Sequence, residues 1–401
     1  MNNSTNTQPQ LTPLTLWVIT IATGLIVANL YYNQPLLDII SEALHVSKAK
    51  AGLISMLTQM GYAVGMLFLA PLADMVKRKR LMMFDFVFML ISLIAAGFAT
   101  DVNLLIIASF FIGATSMIPQ LLVPMAAHLA TPQNRGKVVG QVMSGLLIGI
   151  LLSRTLSGFI GEHLGWRAMF LIAAGLMLII WIFLYFLLPE VEPEYKGNYG
   201  TLMRSMATYF KNEPKLRLAA FRGACVFGCF GAFWTTLTFL LKQPQFDTGP
   251  QTAGLFGLVG VAGALGASLM GRISDKMDPY NVTTATIIMV ILAFLVFSFS
   301  TASMVGLVIG VILLDMGVQG THISNQTMVL ALHPEARNRI NTVYMVCYFI
   351  GGSLGTYLAS HLWEHYHWTG VCTIGFLFSI GALTAHLASR KIATAKKLDL
   401  V

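Results

Sequence analysis

"PLADMVKRKRLM", residues 71–82, separates two long apolar segments and contains a proline, an aspartate and four consecutive basic residues. A weaker copy, "GRISDKMDPYN", occupies residues 271–281 and also follows an apolar segment. The aspartates of the two copies, Asp74 and Asp275, are about 200 residues apart in a chain of 401 residues. This spacing indicates two copies of one structural unit.

Two further pairs of segments match at nearly the same offset. "PQNRG", residues 132–136, corresponds to "PEARN", residues 334–338, and Gly149 corresponds to Gly351. Matches that keep one offset favour a duplicated six-helix unit. Many transporters place a substrate site between such repeats and expose it to one side of the membrane at a time.

The composition excludes a soluble protein. Hydrophobic residues make up 56% of the chain and charged residues 10%, with a mean hydropathy of +0.72. Soluble domains carry roughly 25% charged residues, so this chain could not cover a surface that faces water. The net charge of +8 does not by itself indicate nucleic-acid binding, and we expect none.

Apolar runs of about 20 or more residues recur along the chain, and each is long enough to cross a bilayer. The fold class that we predict is an all-α membrane protein of twelve transmembrane helices in two six-helix bundles related by pseudo-twofold symmetry. The predicted spans lie near residues 14–39, 50–73, 81–100, 103–128, 138–161, 167–189, 217–241, 252–272, 281–300, 303–330, 340–362 and 369–389. The chain is thus divided into a disordered N-terminal tail (1–13), an N-terminal bundle (14–189), a linker (190–215), a C-terminal bundle (216–390) and a C-terminal tail (391–401).

Basic residues predict the orientation in the membrane. Loops on the side that holds both termini and the linker carry most of the 25 lysines and arginines. Cytoplasmic loops are enriched in basic residues, so we expect both termini to be cytoplasmic in a bacterial inner membrane. The first residues lack a basic segment and a cleavage site, which favours a tail over a signal peptide. Loops on the opposite side carry Lys48, Lys50, Arg167 and Lys242.

Neither the cysteines nor the histidines predict a metal site. The four cysteines lie in apolar runs and read as small core residues, so we expect no disulfide and no zinc. "HLWEHYHW", residues 361–368, places His361 and His365 four residues apart, a spacing that can bind a metal. An interfacial belt of aromatic and histidine side chains is the favoured interpretation. We therefore predict neither metal nor cofactor.

The chain resembles the major facilitator superfamily, in its bacterial twelve-span branch of drug and metabolite proton antiporters. The resemblance rests on the two copies of the loop motif, on the "PxxRG" after span 4, and on "GWRAMFLI" (165–172) entering span 6. "NLYYNQPLL" (29–37) and "LLDMGVQGTHISNQT" (313–327) resemble a subgroup of that branch. The resemblance covers essentially the whole chain and implies alternating access.

The chain departs from the family pattern at several positions. In the loop motif Ala70 and Lys77 replace the usual glycines, and Met75 replaces an arginine. Ser109 stands where span 4 often has an arginine. In span 5 the antiporter motif normally ends in Gly-Pro, and residues 153–154 are Ser-Arg instead.

The loop motif predicts a conformational latch on the cytoplasmic side. Asp74 and Asp275, repeated in register, can accept hydrogen bonds from the amino end of a neighbouring helix. Arg78 can pair with an acid or with a lipid headgroup. The alternative is that the basic residues reflect only the positive-inside rule, which we favour for the lysines and arginines.

Charges inside the membrane identify the candidate proton site. Asp315 is the acid nearest the middle of a span, and Arg154 is the basic residue that lies well inside one. Such a charge costs at least ~2.5–3.5 kcal/mol, so it usually faces a cavity and has a partner. Alternatively, Asp315 forms a structural hydrogen bond between helices, and Arg154 extends its charge to the membrane surface.

Span 10 predicts how a proton could be carried. Asp315, Gln319, His322 and Gln326 share one helical face. Burial favours the protonated form of Asp315, and a nearby cation such as Arg154 favours the ionised form. His322 could relay the proton or contact the substrate, or be an ordinary buried histidine.

Amides and aromatic rings predict the substrate site. Asn29, Tyr32 and Asn33 fall on one face of span 1, and Trp234 resembles a cavity aromatic, although a tryptophan at the membrane interface is the alternative. Such walls suit a small, partly apolar organic molecule. The full set of predicted substrate-binding residues is Asn29, Tyr32, Asn33, Gln120, Trp234, Gln319, Gln326, Tyr344 and Tyr348.

The predicted function is secondary active transport. We expect a monomer that exports a drug or metabolite in exchange for protons, surrounded by membrane lipids. A proton-coupled importer of a small nutrient is the alternative, because a fold does not determine direction. No nucleophile and base pair is apparent, so we do not expect an enzyme.

Overall fold

A computed structural model describes residues 11–191, 193, 197–260, 263, 278–333 and 336–398, with side chains up to residue 390. Within these ranges the chain folds into helices and forms no strand, which confirms the all-α prediction. Asp275 lies outside the described residues.

The N-terminal half contains two broken spans. Span 1 is interrupted between Ala28 and the short 3-10 turn at Gln34–Leu36, and span 4 is interrupted before Pro119, where the missing N–H of proline leaves a gap in the hydrogen-bond pattern. The helices are α1 (Pro13–Ala28), α2 (Leu37–Ala43), α3 (Lys48–Leu72), α4 (Arg78–Gly97), α5 (Val102–Thr115), α6 (Pro119–Leu129), α7 (Arg135–Leu164) and α8 (Trp166–Leu187).

The C-terminal half follows the amphipathic helix α9 (Tyr199–Asn212), which lies within the predicted linker. Its last helix is bent at His367, where φ is 47°. The helices are α10 (Pro214–Leu241), α11 (250–260), α12 (Pro279–Ser298), α13 (Met304–Leu330) and α14 (Arg337–Leu398).

Nine helices in the described part of the chain are long and apolar enough to cross a membrane. One of them, Arg337–Arg390, contains predicted spans 11 and 12, and predicted span 1 is divided between α1 and α2. Predicted span 8 is described only as far as residue 260, and at residue 263. The helical membrane architecture agrees with the sequence, and the number of twelve spans stays a prediction.

The duplication is visible in the backbone where span 5 turns into span 6 and span 11 into span 12. "EHLGW" (162–166) and "EHYHW" (364–368) occupy these two places. Gly165 and His367, equivalent residues of the two segments, both have positive φ, 81° and 47°. The two halves therefore share their local turns as well as their helix order.

The halves meet along a seam that extends from one end of the molecule to about its middle. Across it Gln59 Nε2 donates to Thr356 Oγ1 at 3.0 Å, and Thr238 Oγ1 donates to the Pro35 carbonyl at 3.1 Å. The Tyr62 ring lies 4.3 Å from the Phe349 ring, centroid to centroid. We call this the closed end, and it is the end that the sequence predicts to be periplasmic.

At the opposite end, α9 contacts both halves. Tyr199 donates from its hydroxyl to the Phe68 carbonyl of α3 at 2.9 Å, and Arg339 of α14 donates to Ser205 Oγ at 3.2 Å. The linker helix therefore connects the two bundles at the predicted cytoplasmic end.

Candidate transport site

Asp315 lies in the middle of α13 and is 5% exposed. Trp234 of α10 donates from Nε1 to Asp315 Oδ1 at 3.5 Å. Helix α11 passes very close: a Cβ on Gly260 would lie 2.4 Å from Asp315 Oδ2. A larger residue at Gly260 would force the carboxylate to move, so the glycine allows this close approach.

Arg154 of α7 is 2% exposed and faces the seam from the N-terminal half. Its Nε donates to Gln34 Oε1 at 2.8 Å. Its guanidinium carbon lies 4.1 Å from the Trp234 ring centroid, 4.7 Å from that of Tyr31 and 5.2 Å from that of Phe230. Arg154 is thus held in an aromatic cage to which both halves contribute, an arrangement that stabilises a cation without an acid.

Arg154 and Asp315 are connected through Trp234. Within the described part of the chain no ion pair joins them directly, and Arg154 Nη2 has no hydrogen-bond partner. The indole instead receives the cation on its face and donates from its edge to the carboxylate. Because Arg154 and Asp315 belong to different halves, any attraction between Arg154 and an ionised Asp315 acts across the seam.

The other predicted residues of α13 line the same face. His322 Nδ1 is 3.0 Å from the Tyr344 hydroxyl, and the His322 and Tyr348 rings are 4.7 Å apart. Gln326 Nε2 donates to Asn341 Oδ1 at 3.1 Å, and Gln319 is half-buried between Asp315 and His322. The structure therefore brings these residues together along α13 and α14, between Asp315 and the predicted cytoplasmic end of α13.

The two asparagines predicted in span 1 contact residues other than those of α13. Asn29 donates to the sulfur atoms of Met89 and Met177 at 3.6 and 3.4 Å, and Asn33 Nδ2 donates to Thr58 Oγ1 at 3.0 Å. Tyr32 is also buried, at 2% exposure. Both asparagines therefore contact side chains of the N-terminal bundle, and both lie in the turn that follows the end of α1 at Ala28.

Gln120 reaches the seam. Its Nε2 donates to the Tyr62 hydroxyl at 3.0 Å, and Tyr62 packs against Phe349 of the other half. Gln120 therefore joins the site through Tyr62, at the point where span 4 is broken by Pro119.

The latch residues are described only in part. Arg78 Nη2 is 3.5 Å from Asp74 Oδ1, so these two residues pair at the junction of α3 and α4. Asp275 is not among the described residues. The latch between the halves stays a prediction.

The sequence did not single out Gln34, Tyr31 or Phe230. Gln34 was adjacent to a predicted residue, but its role depends on the turn that follows Ala28. Arg222 was also outside the predicted site. It is 4% exposed and donates from Nη2 to Asn325 Oδ1 at 2.6 Å, beside His386 Nδ1 at 2.7 Å. The sequence signal that could have identified Arg222 is a basic residue within an otherwise apolar span.

Comparisons with known proteins agree with this architecture. The model of the Major Facilitator Superfamily matches residues 19–356. The chain is 41% identical over 366 residues to the uncharacterized transporter YgaY of Escherichia coli O157:H7, which covers 91% of this chain and 93% of the relative. It is 26% identical over 344 residues to a protein of Helicobacter acinonychis described as a probable sugar efflux transporter, with 85% of each chain covered.

The fold is also similar to that of a solved transporter. A bacterial homologue of the human lysosomal transporter Spinster, in an inward-facing and occupied conformation, superposes with a TM-score of 0.73 over 94% of this chain and 96% of the other. The two sequences are 13% identical, so this similarity concerns the fold alone.

Proposed function

This chain belongs to the Major Facilitator Superfamily, and from that premise we propose that it exports a small, partly apolar organic molecule in exchange for protons. The protein is a membrane transporter and not an enzyme. The proposal adds the direction of transport, the coupling ion and the residues involved. It also includes a monomer in the bacterial inner membrane. We propose that both termini are cytoplasmic, because the basic loops lie at the end opposite the closed end.

The observation that carries the proposal is the linkage of Arg154, Trp234 and Asp315 across the seam. While Asp315 is ionised, its charge attracts Arg154 and helps to hold the closed end together. A proton on Asp315 removes that attraction. A neutral substrate group that donates a hydrogen bond to the ionised carboxylate takes the place of the Trp234 N–H and so weakens the linkage, although the charge remains. A proton on Asp315 makes it a poorer acceptor, so substrate and proton compete for one carboxylate. Such competition produces exchange of substrate for proton.

The surroundings of the site suit a neutral, partly apolar substrate. Gln319, His322 and Gln326 offer neutral polar groups, and Tyr344 and Tyr348 offer aromatic faces. A sugar combines hydroxyl groups with an apolar ring face, and a relative is described as a probable sugar efflux transporter. Neutral sugars are therefore the first compounds to test, followed by drug-like molecules with an uncharged polar group.

One observation favours import as the second candidate. Arg154 Nη2 is buried and, among the described residues, has no hydrogen-bond partner, so it could donate to a carboxylate of an anionic nutrient. An anion at Arg154 would favour the protonated form of Asp315. Substrate and proton would then bind together, which produces symport.

Proteoliposomes that contain a pH-sensitive dye distinguish the two candidates. A pulse of substrate outside should drive protons outward from the lumen for an antiporter and inward for a symporter. Asp315→Asn vesicles serve as the control and should show no proton movement with either mechanism. Substrate uptake without any proton movement in the unchanged protein would contradict proton coupling.

A further inference from the structure

Two glutamates at the closed end reach from one half of the molecule to the other. Glu162 at the end of α7 accepts a hydrogen bond at Oε2 from the backbone N–H of Gln251, at 2.9 Å. Glu364 in α14 accepts at Oε1 from the backbone N–H of Ala49, at 3.1 Å. Gln251 lies in the first turn of α11 and Ala49 in the first turn of α3. Each carboxylate therefore caps a helix of the opposite half.

The two contacts are copies of each other. Glu162 and Glu364 are equivalent residues of "EHLGW" and "EHYHW", and Ala49 and Gln251 are separated by the same offset. Both capped helices carry the sequence "AGL" close to their start, at residues 51–53 of α3 and 253–255 of α11. The two contacts are therefore related by the same pseudo-twofold relation as the two halves.

Close helix crossings lie directly beside each carboxylate. A Cβ on Gly52 would be 2.2 Å from Ser360 Oγ, where α3 crosses α14. A Cβ on Gly158 would be 2.4 Å from the Pro250 carbonyl oxygen, where α7 crosses α11. These small residues allow the two helix pairs to approach, and the carboxylates sit at the ends of these crossings.

The physical basis is the free N–H groups at the start of a helix. The first turn has N–H groups without partners inside the helix and carries partial positive charge, so a carboxylate stabilises it. The Ser47 hydroxyl is the largest contributor that holds the pKa of Glu364 below its ordinary value. The lowered pKa favours the ionised form of Glu364, which is the form that stabilises a helix start. The carboxylate of Glu162 also lies close to the backbone just before α11: a Cβ on Gly249 would be 2.4 Å from Glu162 Oε2.

We propose that Glu162 and Glu364 are a matched pair of clasps that keep the predicted periplasmic end closed. Outward opening must separate α3 from α14 and α7 from α11, and this exposes two helix ends that the carboxylates had capped. The clasps favour the closed end whether or not substrate or a proton is bound. They act apart from Asp315, at the surface of the closed end.

A cysteine at the seam measures the opening directly. Thr356 is 0% exposed, so Thr356→Cys, in a chain whose native cysteines are replaced by alanine, reports access from outside. Intact cells are treated with a membrane-impermeant maleimide, and the labelling rate is compared among Glu162→Ala, Glu364→Ala and the double variant. Glu42→Ala is the control, because Glu42 is an exposed acid at the same end whose side chain forms no hydrogen bond or ion pair with the other half among the described residues.

In each single variant the labelling rate of Thr356→Cys should increase roughly two- to fivefold. In the double variant it should increase by about the product of the two single factors. Glu→Gln variants, which keep an acceptor but lose the charge, should give smaller increases. Unchanged labelling in the double variant, with an unchanged melting temperature in detergent, would overturn the proposal. An equal increase in Glu42→Ala would also overturn it. The assay needs neither substrate nor proton gradient, so its failure is separate from a failure of proton coupling.

Discussion

Arg154 of the N-terminal half stacks on Trp234 of the C-terminal half, with its guanidinium carbon 4.1 Å from the ring centroid. The edge of the same indole donates to Asp315. A single side chain therefore connects the buried cation of one half with the buried acid of the other. Substitution of Arg154, Trp234 or Asp315 therefore removes a different part of this connection.

Asp315→Asn should abolish uphill transport driven by a proton gradient. Asparagine keeps the shape and can still accept from Trp234, but it cannot bind and release a proton. Counterflow, in which labelled substrate exchanges with unlabelled substrate and no net proton moves, should be retained at least in part. Both assays can be run on the same proteoliposomes. Uphill transport that survives the substitution would exclude Asp315 as the carrier, and loss of counterflow as well would indicate a binding or structural role.

Arg154→Gln should move the pH optimum of transport upward. Loss of the positive charge near Asp315 makes protonation easier, so the carboxylate is half protonated at a higher pH. Arg154→Lys is the matched control, because it keeps the charge but loses the planar contact with the rings. Transport rates measured between pH 5 and pH 9 provide the readout. An optimum that does not move in Arg154→Gln would mean that the two residues are not coupled.

Trp234→Phe separates the two contacts of the indole. Phenylalanine keeps an aromatic face for Arg154 but removes the N–H that donates to Asp315. We expect the pH dependence to change while the outside accessibility of the seam, measured as labelling of Thr356→Cys, increases less than in Trp234→Ala. Equal labelling of the two variants would contradict a cation–π role for the ring.

Asp74→Asn tests the predicted cytoplasmic latch. Removal of the charge should weaken a contact that forms only when the outward cavity is open, and so shift the population toward inward-facing states. Turnover should slow more than substrate affinity falls. Cysteine labelling from inside-out vesicles, at a position on the cytoplasmic part of α3 that faces α14, provides the measure. Unchanged labelling would leave Asp74 as a local partner of Arg78.

The sequence singled out Asp315 and Arg154, both of which are buried in the structure, because hydrocarbon penalises charge so strongly that few positions qualify. Asp315 emerged by elimination, and its neighbours at one-turn spacing followed from helical geometry. The interpretation of Trp234 depended on burial, which periodicity does not give. In the structure the ring is 3% exposed and lies inside the seam.

Contacts between elements were harder to predict. The face expected for Asn29, Tyr32 and Asn33 assumed a continuous helix up to Pro35, whereas α1 ends at Ala28. The turn that follows brings Gln34 to Arg154 instead. Likewise, Glu364 was noticed only as part of a histidine-rich loop. Its partner, a backbone N–H in α3, becomes visible only when the halves are placed against each other.

The turn at His367 offers a test of the duplication on stability. His367 has φ 47° and ψ −137°, a conformation that costs a side chain of the L configuration of order 1–3 kcal/mol, and its equivalent residue is Gly165 with φ 81°. His367→Gly should therefore stabilise the folded protein by roughly 1 kcal/mol, because glycine adopts positive φ without a steric penalty. His367→Ala is the control: it removes the imidazole but keeps the Cβ, and should give no such gain. The measurement is the melting temperature in detergent, with Gly165→Ala expected to lower it. A lower melting temperature for His367→Gly would show that contacts of the imidazole, such as its packing against Trp363, outweigh the backbone strain.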